Sequence, residues 1–110
     1  MLIRRMYDTI TLEEARDLIA KEGKLAKGQF YNTAYKLRCA LGVLGDFNSN
    51  NGASILNWSS VDELNILVLE VTGFNTLMLA NDSYKGSTSG RCKFMVDIFN
   101  QLIEYENRGK

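Results

Sequence analysis

The sequence contains no histidine and no proline, and its 110 residues include only two cysteines. Without histidine, the chain has no imidazole general base, no Ser–His or Cys–His nucleophile pair and no histidine metal ligand. Two cysteines cannot complete a four-thiolate zinc site. The adjacent carboxylates, Glu13 with Glu14 and Asp62 with Glu63, lie at predicted helix starts, where they complement the helix dipole rather than form an acid–base dyad. We therefore expect a protein that is not an enzyme and that uses no metal or cofactor.

Long apolar runs and a leader pattern are also missing. No stretch approaches the ~18 consecutive apolar residues that a membrane-spanning helix needs. The N-terminal segment MLIRRMYDTI lacks the apolar run of a signal peptide. Cys39 and Cys92 could form one disulfide, but we favour free, buried thiols because both lie among helix-forming residues and outside any C-x-x-C motif. We expect a cytoplasmic protein that folds as a single compact domain over residues 1–110.

Basic and acidic side chains are equal in number, at 13 each, but they are unevenly distributed. Residues 1–40 carry a net charge of +3, residues 41–82 contain five acids and no Lys or Arg, and residues 83–110 carry +2. Nucleic-acid-binding modules usually have a dense basic surface, so the pI near 6.2 disfavours that class. We favour charge complementarity within the fold; the alternative is a bipolar surface that binds a partner or a second copy of the chain.

Hydrophobic spacing predicts three amphipathic helices. The first begins with a capping box at Thr11 and ends at Gly23. The second has an apolar stripe at spacings of four, three and four, formed by Phe30, Ala34, Leu37 and Leu41. We expect Gly42 and Gly45 to end it. The third runs from Arg91 until its pattern fades at Tyr105, and its apolar positions are Phe94, Met95, Ile98, Phe99, Leu102 and Ile103.

The region 53–82 decides the fold class, because its short apolar runs fit either strands or helices. As strands, the segments SILNW, NILVLEVT and FNTLMLA form a small antiparallel β-meander. As a helix, the region places five apolar side chains on one face and ends at Gly73; the five are Val61, Leu64, Leu67, Val68 and Val71. We favour the strands, and predict an α+β fold with three helices and this meander, with an all-α bundle as the alternative. Trp58 is expected to anchor the core or a loop.

An Asn-rich segment over residues 45–53 partly matches a calcium-binding loop. Asp46, Asn48 and Asn50 have the spacing of the first three calcium ligands. The glycine is one place late and the final glutamate is missing. We predict an ordinary polar turn and no metal site.

The segment DSYKGSTSGRCKF, residues 82–94, is the first candidate binding site. Its serines lead into the last helix, where free backbone N–H groups, the helix dipole and three cations could hold a phosphate or carboxylate. The residues that would bind the anion are Lys85, Ser89, Gly90, Arg91 and Lys93. The interpretation we prefer is an exposed loop in which Ser89 caps the helix.

A second candidate site is the face that Tyr31, Tyr35 and Arg38 would share on the predicted second helix. Tyr and Arg often anchor protein interfaces, although tyrosines also commonly border a core. We therefore expect a non-enzymatic regulator or inhibitor that binds another protein or itself, of the kind that phages and mobile elements encode. The alternative is a protein that binds nucleic acid or a phosphorylated ligand through Lys85, Arg91 and Lys93, which the zero net charge disfavours.

Overall fold

A computed structural model describes residues 1–47 and 55–109. Most of the predicted Asn-rich turn, including Asn48 and Asn50, lies outside the described residues. Within them, five helices and two small antiparallel sheets form an α+β arrangement, which confirms the predicted fold class. The elements in chain order are β1 (Leu2–Arg4), β2 (Thr9–Thr11), α1 (Leu12–Glu22), β3 (Tyr31–Asn32), β4 (Leu37–Arg38), α2 (Ala40–Leu44), α3 (Trp58–Thr72), α4 (Leu77–Ser83) and α5 (Thr88–Asn107).

The first and last predicted helices are confirmed as α1 and α5. Thr11 caps α1: its hydroxyl accepts a hydrogen bond from the Glu14 amide, while the Glu14 carboxylate accepts one from the Thr11 amide, each at 3.0 Å. Gly23 ends α1 with φ +77°, a conformation that favours glycine. The buried face of α5 carries Met95 and Phe99.

The predicted second helix over Phe30–Leu41 is wrong, because this segment forms a β3–β4 hairpin. The Asn32 side chain accepts a hydrogen bond from the Tyr35 amide at 3.0 Å, which closes a local turn that competes with helix formation. Lys36 has φ +54°, a left-handed conformation that ends any right-handed helix at that point. Helical structure begins only at Ala40, after the hairpin.

Glycine is required inside α2 by a close approach of the hairpin to the helix. A Cβ atom on Gly42 would lie 2.0 Å from the carbonyl oxygen of Phe30. Gly42 is therefore buried within α2, so of the two glycines predicted to end this helical segment only Gly45 does so.

The predicted β-meander over 53–82 is also wrong, because α3 and α4 occupy most of this region. The Asn57 side chain caps α3 and Gly73 ends it with φ +83°. Val68 is fully buried whereas Ile66 is 67 % exposed. The run from Ile66 to Thr72 is thus nearly continuously apolar because both the inner and the outer face of a helix carry apolar residues.

One cluster of buried side chains is shared by the helices and the β1–β2 hairpin. Ile3 and Ile10 face each other across the hairpin and both point into this core. The radius of gyration is 12.9 Å, close to the ~13 Å expected for a compact chain of this length. Within the described ranges, no single helix is long and apolar enough to cross a membrane; α3 and α4 meet that test only when counted together, across a 52° bend.

Cys39 and Cys92 are free and buried, which confirms the preferred prediction for the two thiols. Cys39 Sγ lies 3.4 Å from Met78 Sδ, and Cys92 Sγ donates a hydrogen bond to the carbonyl oxygen of Ile19 at 3.1 Å. Burial raises the pKa of Cys39 to about 11 and also raises the pKa of Cys92. Neither thiol therefore forms the reactive thiolate at neutral pH.

We predict that a thiol reagent such as dithionitrobenzoate leaves both cysteines unmodified in the native protein at about pH 8, because burial blocks access and disfavours the thiolate. The same reagent should modify both cysteines at once in guanidinium chloride, and absorbance of the released thiolate measures this. Rapid modification of either cysteine without denaturant would contradict the burial described here.

Candidate protein-docking surface

Arg91, predicted to bind an anion, is instead buried and bonded to the backbone of its own chain. Its guanidinium donates hydrogen bonds to the carbonyl oxygens of Asn81 at 3.2 Å, Leu25 at 3.2 Å and Tyr84 at 2.7 Å. Only 5 % of the residue is exposed. The guanidinium therefore holds three chain segments together and is not free to bind a ligand.

The loop before α5 is closed over by Tyr84 rather than left open for a phosphate. A Cβ on Gly90 would lie 2.3 Å from the Tyr84 hydroxyl oxygen, and one on Gly86 would lie 2.6 Å from the same ring. Ser87, not Ser89, caps the helix by accepting a hydrogen bond from the Gly90 amide at 2.9 Å. Gly90, which was predicted to bind the anion, and Gly86 thus make room for an aromatic ring.

Lys85 and Lys93 are exposed, but the structure does not place them with Arg91. Residues two positions apart point to nearly opposite sides of a helix, so Lys93 faces solvent whereas Arg91 faces the core. Lys85 lies near another basic segment, because the Leu25 amide donates to the Thr88 carbonyl and the Gly28 amide to the Asp82 carboxylate. A role of Lys85 and Lys93 in anion binding stays a prediction.

The second candidate site, Tyr31, Tyr35 and Arg38, lies on the β3–β4 hairpin. Tyr31 and Arg38 are directly paired across the hairpin, so the structure does bring these two residues together. Tyr35 lies in the connecting turn and is 76 % exposed. The interface role of this hairpin is not tested by its geometry and stays a prediction.

Arg38 belongs to a network of ion pairs within the chain. Its guanidinium pairs with Glu22 and, at 3.0 Å, with Asp46. Nearby, the Arg5 guanidinium donates two hydrogen bonds to Asp8, at 2.6 and 2.7 Å, and lowers the pKa of that carboxyl. Both arginines line a surface cleft of about 480 Å³. Carboxylates of the same chain already bind these guanidinium groups, so Lys21 is the cation of this cleft that joins no ion pair within the described residues.

The largest apolar side chains left at the surface of a long helix lie on the outer face of α3. Trp58, Ile66 and Leu69 are 51, 67 and 47 % exposed. With 100° of rotation per residue, these three positions lie within about a quarter turn of one another and opposite the buried Leu64. Core packing therefore does not explain their apolar character.

Acidic side chains lie within this apolar strip and along one side of it. Asp62, Glu63 and Glu70 lie on the same side of α3, and none of them joins an ion pair with a Lys or Arg of residues 1–47 or 55–109. The Glu70 carboxylate raises the pKa of the nearby Tyr105. We call the six residues together the outer face of α3; they are Trp58, Asp62, Glu63, Ile66, Leu69 and Glu70.

A groove of about 490 Å³ runs along one edge of the outer face. Its α3 wall has the spacing of a single helical stripe over two turns, so the groove lies parallel to the helix axis. The lining residues are Met1, Glu63, Ile66, Leu67, Glu70 and Glu106. Its floor is apolar, and its charged groups are three carboxylates and the N-terminal ammonium of Met1, which pairs with Glu106 and leaves Glu63 and Glu70 without an ion pair in the described residues.

Sequence reasoning missed the outer face of α3, because the favoured strand interpretation put alternate residues on each face. The helical interpretation contained the signal, since Trp58, Ile66 and Leu69 fall outside its core stripe. Trp58 was expected to anchor the core or a loop, but it lies half exposed at the first turn of α3. Large apolar residues off the core stripe of a helix are thus the pattern that identifies this surface.

Comparisons of this chain with protein-family models, with curated proteins and with solved structures found no match. Within the described part of the chain, no group of three or more His, Cys, Asp or Glu is placed to hold a metal ion. The choice of a functional surface therefore rests on burial, charge and geometry.

We predict that Arg91→Lys lowers the free energy of unfolding by about 3 kcal/mol, because one ammonium cannot replace three guanidinium hydrogen bonds to buried carbonyls. The matched control is Arg108→Lys on the same helix, at an exposed ion pair, where we expect a change of about 0.5 kcal/mol or less. Urea denaturation of both variants measures the difference. Equal decreases in the free energy of unfolding would show that the Arg91 hydrogen bonds stabilise the fold no more than the exposed Arg108 ion pair does.

Proposed function

We propose that this chain is a non-enzymatic interaction protein, a regulator or inhibitor, that binds a partner protein through the outer face of α3. The observation that supports this most is the exposure of Trp58, Ile66 and Leu69 together on one helix face. Scattered exposed apolar residues are normal on protein surfaces, but three large ones on one face of a single helix, with carboxylates among and beside them, favour a binding surface.

The size of the available hydrophobic free energy is consistent with specific binding. Full burial of a large apolar side chain contributes about 1.5–3 kcal/mol, so three half-exposed side chains could contribute several kcal/mol. Tryptophan is among the residues that most often dominate the energy of an interface. The adjacent carboxylates would form part of the polar rim that protein interfaces usually have.

The β3–β4 hairpin is a second surface that could contribute to the same function. Tyr35 is largely exposed at its tip, whereas Arg38 is occupied by Glu22 and Asp46. Tyr35 is therefore the residue of this hairpin that remains available to contact a partner, and substituting it would not disturb an ion pair.

Binding of nucleic acid or of a phosphorylated ligand is the second candidate function. It is favoured by one observation: hydrogen bonds hold the segment that carries Lys24 and Lys27 beside the loop that carries Lys85. It is disfavoured by the internal role of Arg91 and by the zero net charge.

We predict that the tagged chain captures a stoichiometric protein from a lysate of its source cell, and that nuclease treatment does not remove it. The double variant Ile66→Asp, Leu69→Asp should lose this capture, because buried carboxylates in an apolar interface are strongly unfavourable. Gel electrophoresis and mass spectrometry measure the captured protein, and circular dichroism checks the helix content of the variant.

Two further variants separate the candidate surfaces. Tyr35→Ala tests the hairpin, and Lys85→Glu with Lys93→Glu tests the basic loop. Capture that is unchanged in the α3 variant but lost with either of these would move the binding surface away from α3. Recovery of nucleic acid alone, abolished by nuclease and by the lysine variant, would support the second candidate function instead.

A further inference from the structure

We infer that the segment docking on the outer face of α3 is a basic amphipathic helix of a partner protein. This inference rests on the proposed function and adds the chemistry of the partner. A helix with an apolar stripe and flanking Lys or Arg side chains fits this surface, in the mode by which amphipathic helices bind apolar grooves.

Charge complementarity supports a cationic partner. Asp62 and Glu63 join no ion pair within the described residues, and residues 41–82 contain no Lys or Arg at all. An acidic partner would repel these carboxylates, and a neutral partner would leave them without opposite charges. Lys or Arg side chains around its apolar stripe would supply the missing opposite charges and would disfavour wrong partners.

The shape of the groove supports a helical segment. Its α3 wall extends from Glu63 to Glu70, about 10 Å along the helix axis at 1.5 Å per residue. Ile66 and Leu67 form an apolar floor between carboxylates. A helix lying along α3 could place apolar side chains on this floor and keep its cationic side chains at the rim, where their alkyl stems also pack.

A second copy of this chain is a less suitable occupant. Its exposed apolar side chains that are close in sequence to cations include Leu2, Met6 and Tyr7, next to Arg4 and Arg5, and Phe30, near Lys27. They lie on short strands and turns, so none of them offers the helical stripe that would lie along the groove. Such a contact would also be head-to-tail, and contacts of that kind produce open chains unless the geometry closes.

Trp58, the only tryptophan of the chain, provides the readout. It lies on the outer face of α3 outside the groove, about 7.5 Å along the helix axis from Glu63, so a helix of about 18 residues docked along α3 would reach it. The probes are three tryptophan-free peptides of about 18 residues, long enough to form helices on binding. One is a Leu/Lys peptide with amphipathic helical spacing, one is its Leu/Glu counterpart, and one is a scrambled Leu/Lys peptide of the same composition. Tryptophan emission is recorded during titration of the intact chain.

We predict that the amphipathic Leu/Lys peptide shifts Trp58 emission to shorter wavelength and binds about tenfold more tightly than either other peptide, since only it matches both charge and apolar spacing. Binding should weaken as salt rises from about 0.05 to about 0.5 M, because the rim charges are then screened. The triple variant Asp62→Lys, Glu63→Lys, Glu70→Lys should reverse the preference toward the Leu/Glu peptide. Asp97→Lys, an exposed acid on α5, is the matched control and should change nothing.

Several results would overturn the inference. Equal affinity for the Leu/Lys and Leu/Glu peptides would contradict the inference that the partner is cationic. It would still be consistent with an apolar docking surface and hence with the proposed function. Equal affinity for the ordered and scrambled Leu/Lys peptides would reduce the effect to charge alone. Sedimentation that shows oligomers of the chain, lost in Ile66→Asp, would make a second copy the occupant. Failure of the proposed function itself is read separately, from protein capture that persists in the Ile66→Asp, Leu69→Asp variant.

Discussion

The fold depends on a buried polar network that joins segments with little regular structure of their own. Asn81 is fully buried, accepts a hydrogen bond from the Ala40 amide and donates one to the carbonyl of Ala26, each at 3.0 Å. Arg91 adds three bonds to carbonyl oxygens, including that of Asn81. Because an unsatisfied buried polar group is costly, each member of this network holds the others in place. The network fixes how residues 23–40 pack against α4 and α5.

Some polar and charged side chains are used for contacts within the chain and others are left at the surface, and only the second group can bind a partner. Around the start of α5, Arg91 and the glycines are committed to packing whereas Lys85 and Lys93 are exposed. Arg38 is paired with carboxylates of its own chain. On α3, by contrast, the inner face packs into the core. The outer face combines exposed apolar side chains with acids that join no ion pair in the described residues. The Arg38–Asp46 pair is one case of the charge complementarity expected within the fold, but Asp62 and Glu63 find no such partner in the described ranges.

Elements were predicted correctly where several local signals in the sequence indicated the same secondary structure. In α1 a capping box, an apolar face and a terminal glycine all indicated a helix, and α5 had the cleanest helical period. The predictions were wrong where they relied on a single signal. The helical spacing from Phe30 to Leu41 predicted a helix although Asn32 favours a turn there, and the apolar run in α3 predicted a buried strand. The burial of Arg91 could not be predicted from composition, because it depends on how the chain places the carbonyl of Leu25, 66 positions away, beside those of Asn81 and Tyr84.

Amide hydrogen exchange, measured on the chain alone and in complex with the protein it captures, tests most directly whether α3 is the functional surface. Backbone amides in a docked helix open less often, so exchange should slow in residues 58–72 and at the facing end of α5. The β3–β4 hairpin and the loop of residues 85–93 should exchange as in the free chain. Slower exchange confined to either of those two segments, with α3 unchanged, would contradict a docking role for its outer face.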